Sequence, residues 1–430
     1  MVNQATEEIE KLTQAQLDAM ASLHIRFLEG SLGGRRAILK NTDLRGLSFK
    51  KKDMRQADFT ACNLTGADMS SSDFSEAKLY ACDLTDANLE HGNFTRADLR
   101  GCIIESANLE NARLDKADLR VGGFEQNGQY DTGRHVTFAG ANLSGAKLKG
   151  SLANNANFCD AIMTDVDMSD ADIRGADLTG ADLSGAKVEG CKFKGANLKA
   201  TIMTGVDTSS ISVLEIDTSQ AVTDENAGTS IKDIDEPLSQ KIDSHIKWVA
   251  SAGREGVQLD LSGYDMRPLE SLKEERMTAI KAVHTQFAGM NLYKVQMQSA
   301  TLDECDFRRC DMESADMRGS SFKKARFNHA KLKGTNFEPL MFGQGGGTKR
   351  FSPCNFEGAS LSYADLSDCK LRMANFKGAD LTGADLTGAD LREADFTGAK
   401  IDMAKLDEAC TEGAIFEKSG PVFKLKAAEE

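Results

Sequence analysis

The chain holds ten cysteines and six histidines, the residue types that most often supply nucleophiles, general bases and metal ligands. Spacing decides what they can do. No C-x2-C pair occurs of the kind that zinc ligands form. Cys62, Cys82, Cys102, Cys191, Cys305, Cys310, Cys354 and Cys369 each stand two residues before a large residue, nearly always apolar. A free cysteine in such a repeated apolar setting behaves as a small buried hydrophobe, so these thiols are expected to be structural. His91, His284 and His329 stand apart from any Ser, Cys or carboxylate pattern that would make a triad, and His24 and His245 occupy matching segments that read as helix packing. No nucleophile elbow, phosphate loop or dinucleotide fingerprint is present. The reading is therefore of a protein with no catalytic residue, no metal and no cofactor.

The cysteine spacing belongs to a wider rule. In "ANFKGADLTGADLTGADLREADF", residues 374 to 396, a large apolar residue returns every five positions with a small residue two before it. The large residue is called the centre below. Centres run without a break from Leu39 to Phe124, then from Phe138 to Met203 with Ala153 in one place, from Phe287 to Phe342, and from Phe356 to Phe416 with Thr411 in one place. A helix repeats its faces every 3.6 residues and a strand every two, so a period of five demands another backbone path. Centre and small residue would point inward while the other three positions face water. Phe287, Phe307 and Phe327 recur at intervals of twenty, as do Phe356, Phe376, Phe396 and Phe416, and Cys62, Cys82 and Cys102. Four pentapeptides then make one coil, with equivalent residues stacked at about the 4.8 Å strand spacing.

The strings "ANLSG" at 141 to 145 and "ADLTG" at 379 to 383 and 384 to 388 carry an A-[DN]-L-x-x signature that resembles the pentapeptide-repeat family, over about four fifths of the chain. The resemblance implies a right-handed quadrilateral β-helix. The four-sided section follows from the spacing as well; the handedness comes from the resemblance alone. The expected fold is an all-β solenoid made of two such β-helices, each with an N-terminal helical cap.

Duplication is visible in "HIRFLEGSLGGRRAILKNTDL" from His24 beside "HIKWVASAGREGVQLDLSGYDM" from His245. The expected order is a helical cap at 1–36, a first β-helix at 37–206, an acidic linker at 207–239, a second cap at 240–258, a second β-helix at 259–418 and a tail at 419–430. In each copy one centre is followed by the next after fourteen residues, Phe124 to Phe138 and Phe342 to Phe356, which reads as a nine-residue loop insertion within 125–137 and 343–355. Helical spacing of Ile9, Leu12, Met20, Leu23 and Phe27, and of Ile242, Ile246 and Val249, predicts the inward faces of the caps. Leu269, Leu272, Ile280 and Val283 predict an amphipathic helix within 267–285. All five prolines fall outside the coils, as a residue without an N–H must. The C-terminal end has little cover, and an uncovered β-helix end invites homodimerisation.

Insertions on one side of a repeat array often mark a binding surface. Gln126, Tyr130, Arg134, His135, Gln344, Lys349 and Arg350 are the candidate partner-binding residues; an insertion merely inherited by duplication is the alternative. The resemblance also implies a possible activity, since some family members mimic duplex DNA and bind DNA gyrase or related type II topoisomerases. The net charge of −14 suits that role, but residues 207 to 243 carry nine acidic and two basic side chains, half of the excess. Lys50, Lys51, Lys52, Lys323, Lys324 and Arg326 interrupt any anionic surface on the coils. The leading expectation is a scaffold for a protein partner of unknown identity, with a topoisomerase as runner-up and no direct nucleic-acid binding. No segment reaches the roughly 18 apolar residues of a membrane span, so a soluble cytoplasmic protein is expected.

Overall fold

The computed structural model describes residues 10–123, 125–126, 129–130, 133–207, 209, 217–342 and 350–416. The chain divides into two compact units, Met1–Asn226 and Ala227–Glu430, each with its own buried core.

Unit 1 begins with β1 (Glu10–Lys11) and helix α1 (Gln14–Leu28). Thr13 caps the helix: its hydroxyl accepts from the Gln16 N–H and its own N–H donates to the Gln16 side chain, which satisfies two donors that a helix start leaves orphaned. β1 pairs in parallel with β2 (Thr42–Asp43). From there the coils are held by single-residue parallel bridges rather than long strands: Asp58 pairs with Lys78, Lys78 with Asp98 and Asp98 with Asp118. Each bridge joins residues 20 apart, so four pentapeptides separate neighbours in the stack.

Three hydrogen bonds define one pentapeptide. The Leu64 N–H donates to the Asp83 carbonyl at 2.7 Å, the Asp83 N–H to the Cys62 carbonyl at 3.0 Å, and the Ala67 N–H closes a turn onto the Leu64 carbonyl at 2.9 Å. The second residue after each centre has a positive φ, +65° at Gly66, +58° at Ala61 and +58° at Glu76, as the third position of a tight turn requires. Glycine is favoured there because it has no Cβ penalty, which explains the G of "GADLT".

Centres and small residues are buried together. Leu64, Ala67, Met69, Phe74 and Leu79 are inaccessible or nearly so. Phenylalanines 20 residues apart stack face to face: Phe287 on Phe307 at 4.9 Å, Phe307 on Phe327 at 5.0 Å, and Phe356, Phe376, Phe396 and Phe416 in one column at 4.8 to 4.9 Å. Offset and stacked rings at these distances add to the value of burial alone.

The coils of unit 1 are interrupted once. Asp83 pairs with Ile103, but Ile103 pairs with Thr137, and the offset stays at 34 until Asp118 has paired with Leu152. The insertion is therefore 14 residues between centres Leu119 and Phe138, and the expected centre Phe124 lies outside the described residues. This corrects the expected nine-residue loop at 125–137. The inserted chain is a hairpin, with β3 (Glu125–Gln126) antiparallel to β4 (Gln129–Tyr130). At the far end of unit 1, Val222 pairs with Ile202 and the Met203 N–H donates to the Val222 carbonyl at 2.8 Å. Part of the expected linker at 207–239 thus lies on the last coil, because Ala221 and Val222 repeat the small-residue and bridge positions.

Unit 2 opens with β5 (Thr229–Ser230), a short 3-10 turn at Ile231–Asp233 and helix α2 (Leu238–Ala250). β5 pairs in parallel with β6 (Tyr264–Asp265). The expected helix within 267–285 is absent: a 3-10 turn covers Arg267–Leu269 and coil follows, with Ser271 bridging Asn291 and Arg276 bridging Gln296. The physical reason is an exchange of sizes. Ile280 occupies the small position and Ala282 the centre, both buried, which keeps the volume but breaks the five-residue pattern and leaves an accidental helical stripe. One extra residue also enters here, since Asp265 pairs with Gln286 at an offset of 21.

Unit 2 repeats the interruption. Asp316 pairs with Asn336, whereas Ser321 pairs with Asn355, so 14 residues are inserted between Phe337 and Phe356, and the expected loop at 343–355 starts earlier. Leu340–Phe342 forms β7 and Arg350–Ser352 forms β8, antiparallel. Phe342 belongs to β7 and is no centre.

Candidate partner interface

Each hairpin is rooted in the wall beneath it. In unit 1, Gly122 and Arg134 exchange both backbone hydrogen bonds, at 3.0 and 2.7 Å. Gly122 lies so close to the coil below that a Cβ would sit 2.9 Å from the Arg100 carbonyl oxygen. The Arg134 guanidinium lies along the corner, donating from Nε to the Gly101 carbonyl at 2.6 Å and from Nη2 to the Ala81 carbonyl at 2.9 Å. The Tyr80 hydroxyl donates to the Gly123 carbonyl, and the Arg100 guanidinium covers the Tyr80 ring at 5.2 Å. Arg134, named by sequence as a binding residue, is thus a brace for the hairpin stem. His135 is exposed beside it. Gln126 and Tyr130 fall on β3 and β4, as Gln126 pairs with Gln129 and Glu125 with Tyr130.

In unit 2 the register places Leu340 opposite Ser352, Met341 opposite Phe351 and Phe342 opposite Arg350. Leu340 packs on Gly319, leaving no room for a Cβ there: Leu340 Cβ and Cδ1 would be 3.0 Å away. Alternation along a strand then turns the Met341–Phe351 pair outward, and both are half exposed, at 55% and 50%. Arg350 is also exposed. Gln344 and Lys349 lie outside the described residues. Met341 and Phe351 were missed in the sequence, although Phe351 off the five-residue register in a chain most of whose phenylalanines fill centres was a usable signal.

The walls carry their charge in a fixed form. An Asp one residue before a centre and an Arg one residue after it close a two-bond clasp: Asp43–Arg45, Asp53–Arg55, Asp98–Arg100, Asp118–Arg120, Asp172–Arg174, Asp316–Arg318 and Asp390–Arg392, with Nε and Nη2 donating at 2.6 to 2.9 Å. Where a hydroxyl follows, it replaces the guanidinium, as in Thr60 to Asp58 at 2.6 Å and Thr85 to Asp83 at 2.7 Å. The same carboxylates also accept a backbone N–H two residues on. The Arg45 guanidinium holds Asp43 at about 2, and the guanidiniums of Arg174 and Arg392 lower Asp172 and Asp390. At Asp306 burial opposes the charge, but Arg308 and Arg326 outweigh it and its pKa is lowered.

The eight cysteines singled out by spacing are all buried; Cys159 is partly accessible and Cys410 exposed. Several donate to a centre carbonyl of the coil below, Cys82 to Phe59 at 2.7 Å and Cys369 to Leu332 at 2.9 Å. Burial pushes Cys102, Cys191, Cys305 and Cys354 up to about 12, which keeps these thiols protonated and unreactive. Among the described residues no group of three or more His, Cys, Asp or Glu could hold a metal ion, and no helix is long and apolar enough to cross a membrane.

The model of the family described as pentapeptide repeats matches eight copies, over residues 37–79, 82–120, 141–180, 176–207, 300–338, 350–378 and 374–410. No curated protein matches. Among solved structures, HetL, a pentapeptide repeat protein involved in heterocyst differentiation regulation in Nostoc sp. strain PCC 7120, is 18% identical, with 90% of this chain and 95% of that chain covered and a TM-score of 0.25. QnrB1, a plasmid-mediated fluoroquinolone resistance protein, is 18% identical over 44% of this chain and 87% of its own, with a TM-score of 0.24. A pentapeptide repeat protein of the Arabidopsis thaliana thylakoid lumen is 24% identical over 26% and 66%, with a TM-score of 0.17.

Proposed function

We propose, starting from the fact that this chain belongs to the pentapeptide-repeat family, that it is a non-enzymatic scaffold that recognises a protein partner through its two inserted hairpins. In this reading each unit is a right-handed quadrilateral β-helix, a rigid support on which the hairpin is the one elaborated feature. The observation that carries it is the outward Met341–Phe351 pair of the second hairpin, two large apolar residues set opposite each other in the stem that Leu340 seats on Gly319. Aromatic residues and methionine are enriched where protein partners meet.

The competing reading, a DNA-mimicking ligand of gyrase or another type II topoisomerase, draws on the acidic composition and a pI near 5.1. The wall chemistry weighs against it. A phosphate mimic needs carboxylates that face a partner, whereas many of the aspartates just before centres bond to their own turns and several are clasped by arginine.

Affinity capture from the native cell with the full chain, beside a variant that carries Met341→Ser with Phe351→Ser and has its 124–132 segment shortened to a tight turn, tests the scaffold reading. A partner held by the full chain and lost by the variant is expected; the same partner held by both removes the hairpins' role. Inhibition or protection of a type II topoisomerase by the purified chain at physiological salt would instead favour the mimic.

A further inference from the structure

The caps hide only part of the surface that their apolar spacing suggests: Leu12 and Ile242 are buried and Met20 packs on the core, whereas Phe27, Ile246 and Val249 are turned outward, and Ile9 lies outside the described residues. The inward residues of α1 are Leu17, Ala21 and His24, so the apolar Ile25 and Phe27 are turned toward water, Ile25 at 40% exposure. After the helix the chain folds straight back: the Ser31 N–H donates to the Arg26 carbonyl at 2.8 Å and the Arg35 N–H to the Leu23 carbonyl at 3.0 Å. Gly34 is pressed so close that a Cβ would lie 2.6 Å from the Arg26 carbonyl carbon. At the apex of this fixed turn Leu32 is fully exposed, at 101%. Arg26, Arg35 and Arg36 lie near it in the chain, all exposed; Arg36 Nε donates to the Gln56 carbonyl at 2.6 Å, and no described carboxylate lies within ion-pair distance of any of them. They differ in this from the clasped arginines of the walls.

We propose that this cap is a docking surface for an anionic lipid bilayer, with Leu32 and Ile25 entering the headgroup boundary and Arg26 and Arg35 meeting the lipid phosphates. Apolar residues flanked by cations are the arrangement of interfacial membrane contacts, and arginine pairs well with phosphate. One exposed leucine is ordinary on a protein surface. Here the same composition recurs at the start of unit 2, where His245 points inward, Ile246 is 42% exposed, Val257 after the helix is 69% exposed, and Lys247 and Arg254 are the cations. The net charge of −14 does not oppose the contact, because charges more than about 10 Å away are largely screened at physiological salt. The proposal stands apart from the hairpins and does not depend on them.

Flotation of the purified full chain with vesicles tests it, using phosphatidylcholine alone and an equal mixture of phosphatidylcholine and phosphatidylserine. The chain is expected to float with the mixed vesicles only, and to be released by high salt. Arg26→Gln with Arg35→Gln should weaken binding about 25-fold, at about fivefold for each cation near an anionic surface, and Leu32→Ser should weaken it severalfold. All three positions are exposed, so far-UV circular dichroism should be unchanged and the loss attributable to the surface. A chain that ignores phosphatidylserine vesicles at low salt overturns the assignment and leaves the patch to an acidic polypeptide. Binding that Leu32→Ser does not weaken overturns it too, since charge adsorption alone would then suffice.

Discussion

His24 and His245 do the same work with the same atoms. His24 Nδ1 accepts the Ala37 N–H at 3.0 Å, which leaves Nε2 to donate to the Arg55 carbonyl at 2.9 Å. His245 Nδ1 accepts the Leu259 N–H at 3.1 Å and Nε2 donates to the Thr278 carbonyl at 2.8 Å. Each ring therefore ties a cap helix to two successive parts of the first coils, and only its neutral form can do so. Burial lowers both pKa values below the ordinary one. A histidine whose folded value is depressed contributes stability that is full above its unfolded value of about 6.5 and is lost as pH falls through the lower folded value. Protection factors across α1 and α2, corrected for the slower intrinsic amide exchange at lower pH, should fall below about pH 6.5 while those of the central coils hold; uniform protection factors across that range would contradict it. The matching segments made the pair legible in the sequence as packing residues. The outward turn of Ile25, Phe27, Ile246 and Val249 was not legible, because an imidazole took the inward position that an apolar count assigns to a hydrocarbon.

At the scale of the element, the five-residue period was legible because it is enforced from two sides, by burial of centre and small residue and by the turn that follows. The turn adds a constraint on the second residue after each centre. Ala61 holds φ of +58° there, and an L side chain in that region costs about 1 to 2 kcal/mol. Ala61→Gly should raise stability by about 1 kcal/mol, allowing for the extra freedom of glycine in the unfolded chain. Gly190→Ala should do the opposite, losing about 1 to 2 kcal/mol, because position 190 has a φ of +68°. Chemical denaturation of the two variants reads both signs, and a stabilised Gly190→Ala would show the corner to be looser than the structure has it. Two elements escaped the sequence for reasons of the same kind. The exchange of Ile280 and Ala282 preserved core volume while erasing the periodic signal. Phe124 and Phe342 stand five residues after Leu119 and Phe337, and that spacing hid where each insertion begins.

For the molecule as a whole, the two cores share no residue: one runs from Leu12 to Ala221 and the other from Ile231 to Phe396. Stack-like proteins derive stability from each repeat and its neighbours, so damage should spread along one stack and stop at its end. Leu386 is inaccessible between Leu366 and Leu406, its backbone N–H bonded to Lys405 at 2.8 Å. Leu386→Asp would bury a carboxylate with no partner and should destabilise unit 2 by several kcal/mol. The separate fragments 1–226 and 227–430 should each give a cooperative thermal transition. In the full chain the substitution should lower the transition that matches fragment 227–430 and leave the other in place. A single transition that moves as one would show the two stacks to be energetically one body, and an unmoved pair would show that position 386 does not face a closed interior.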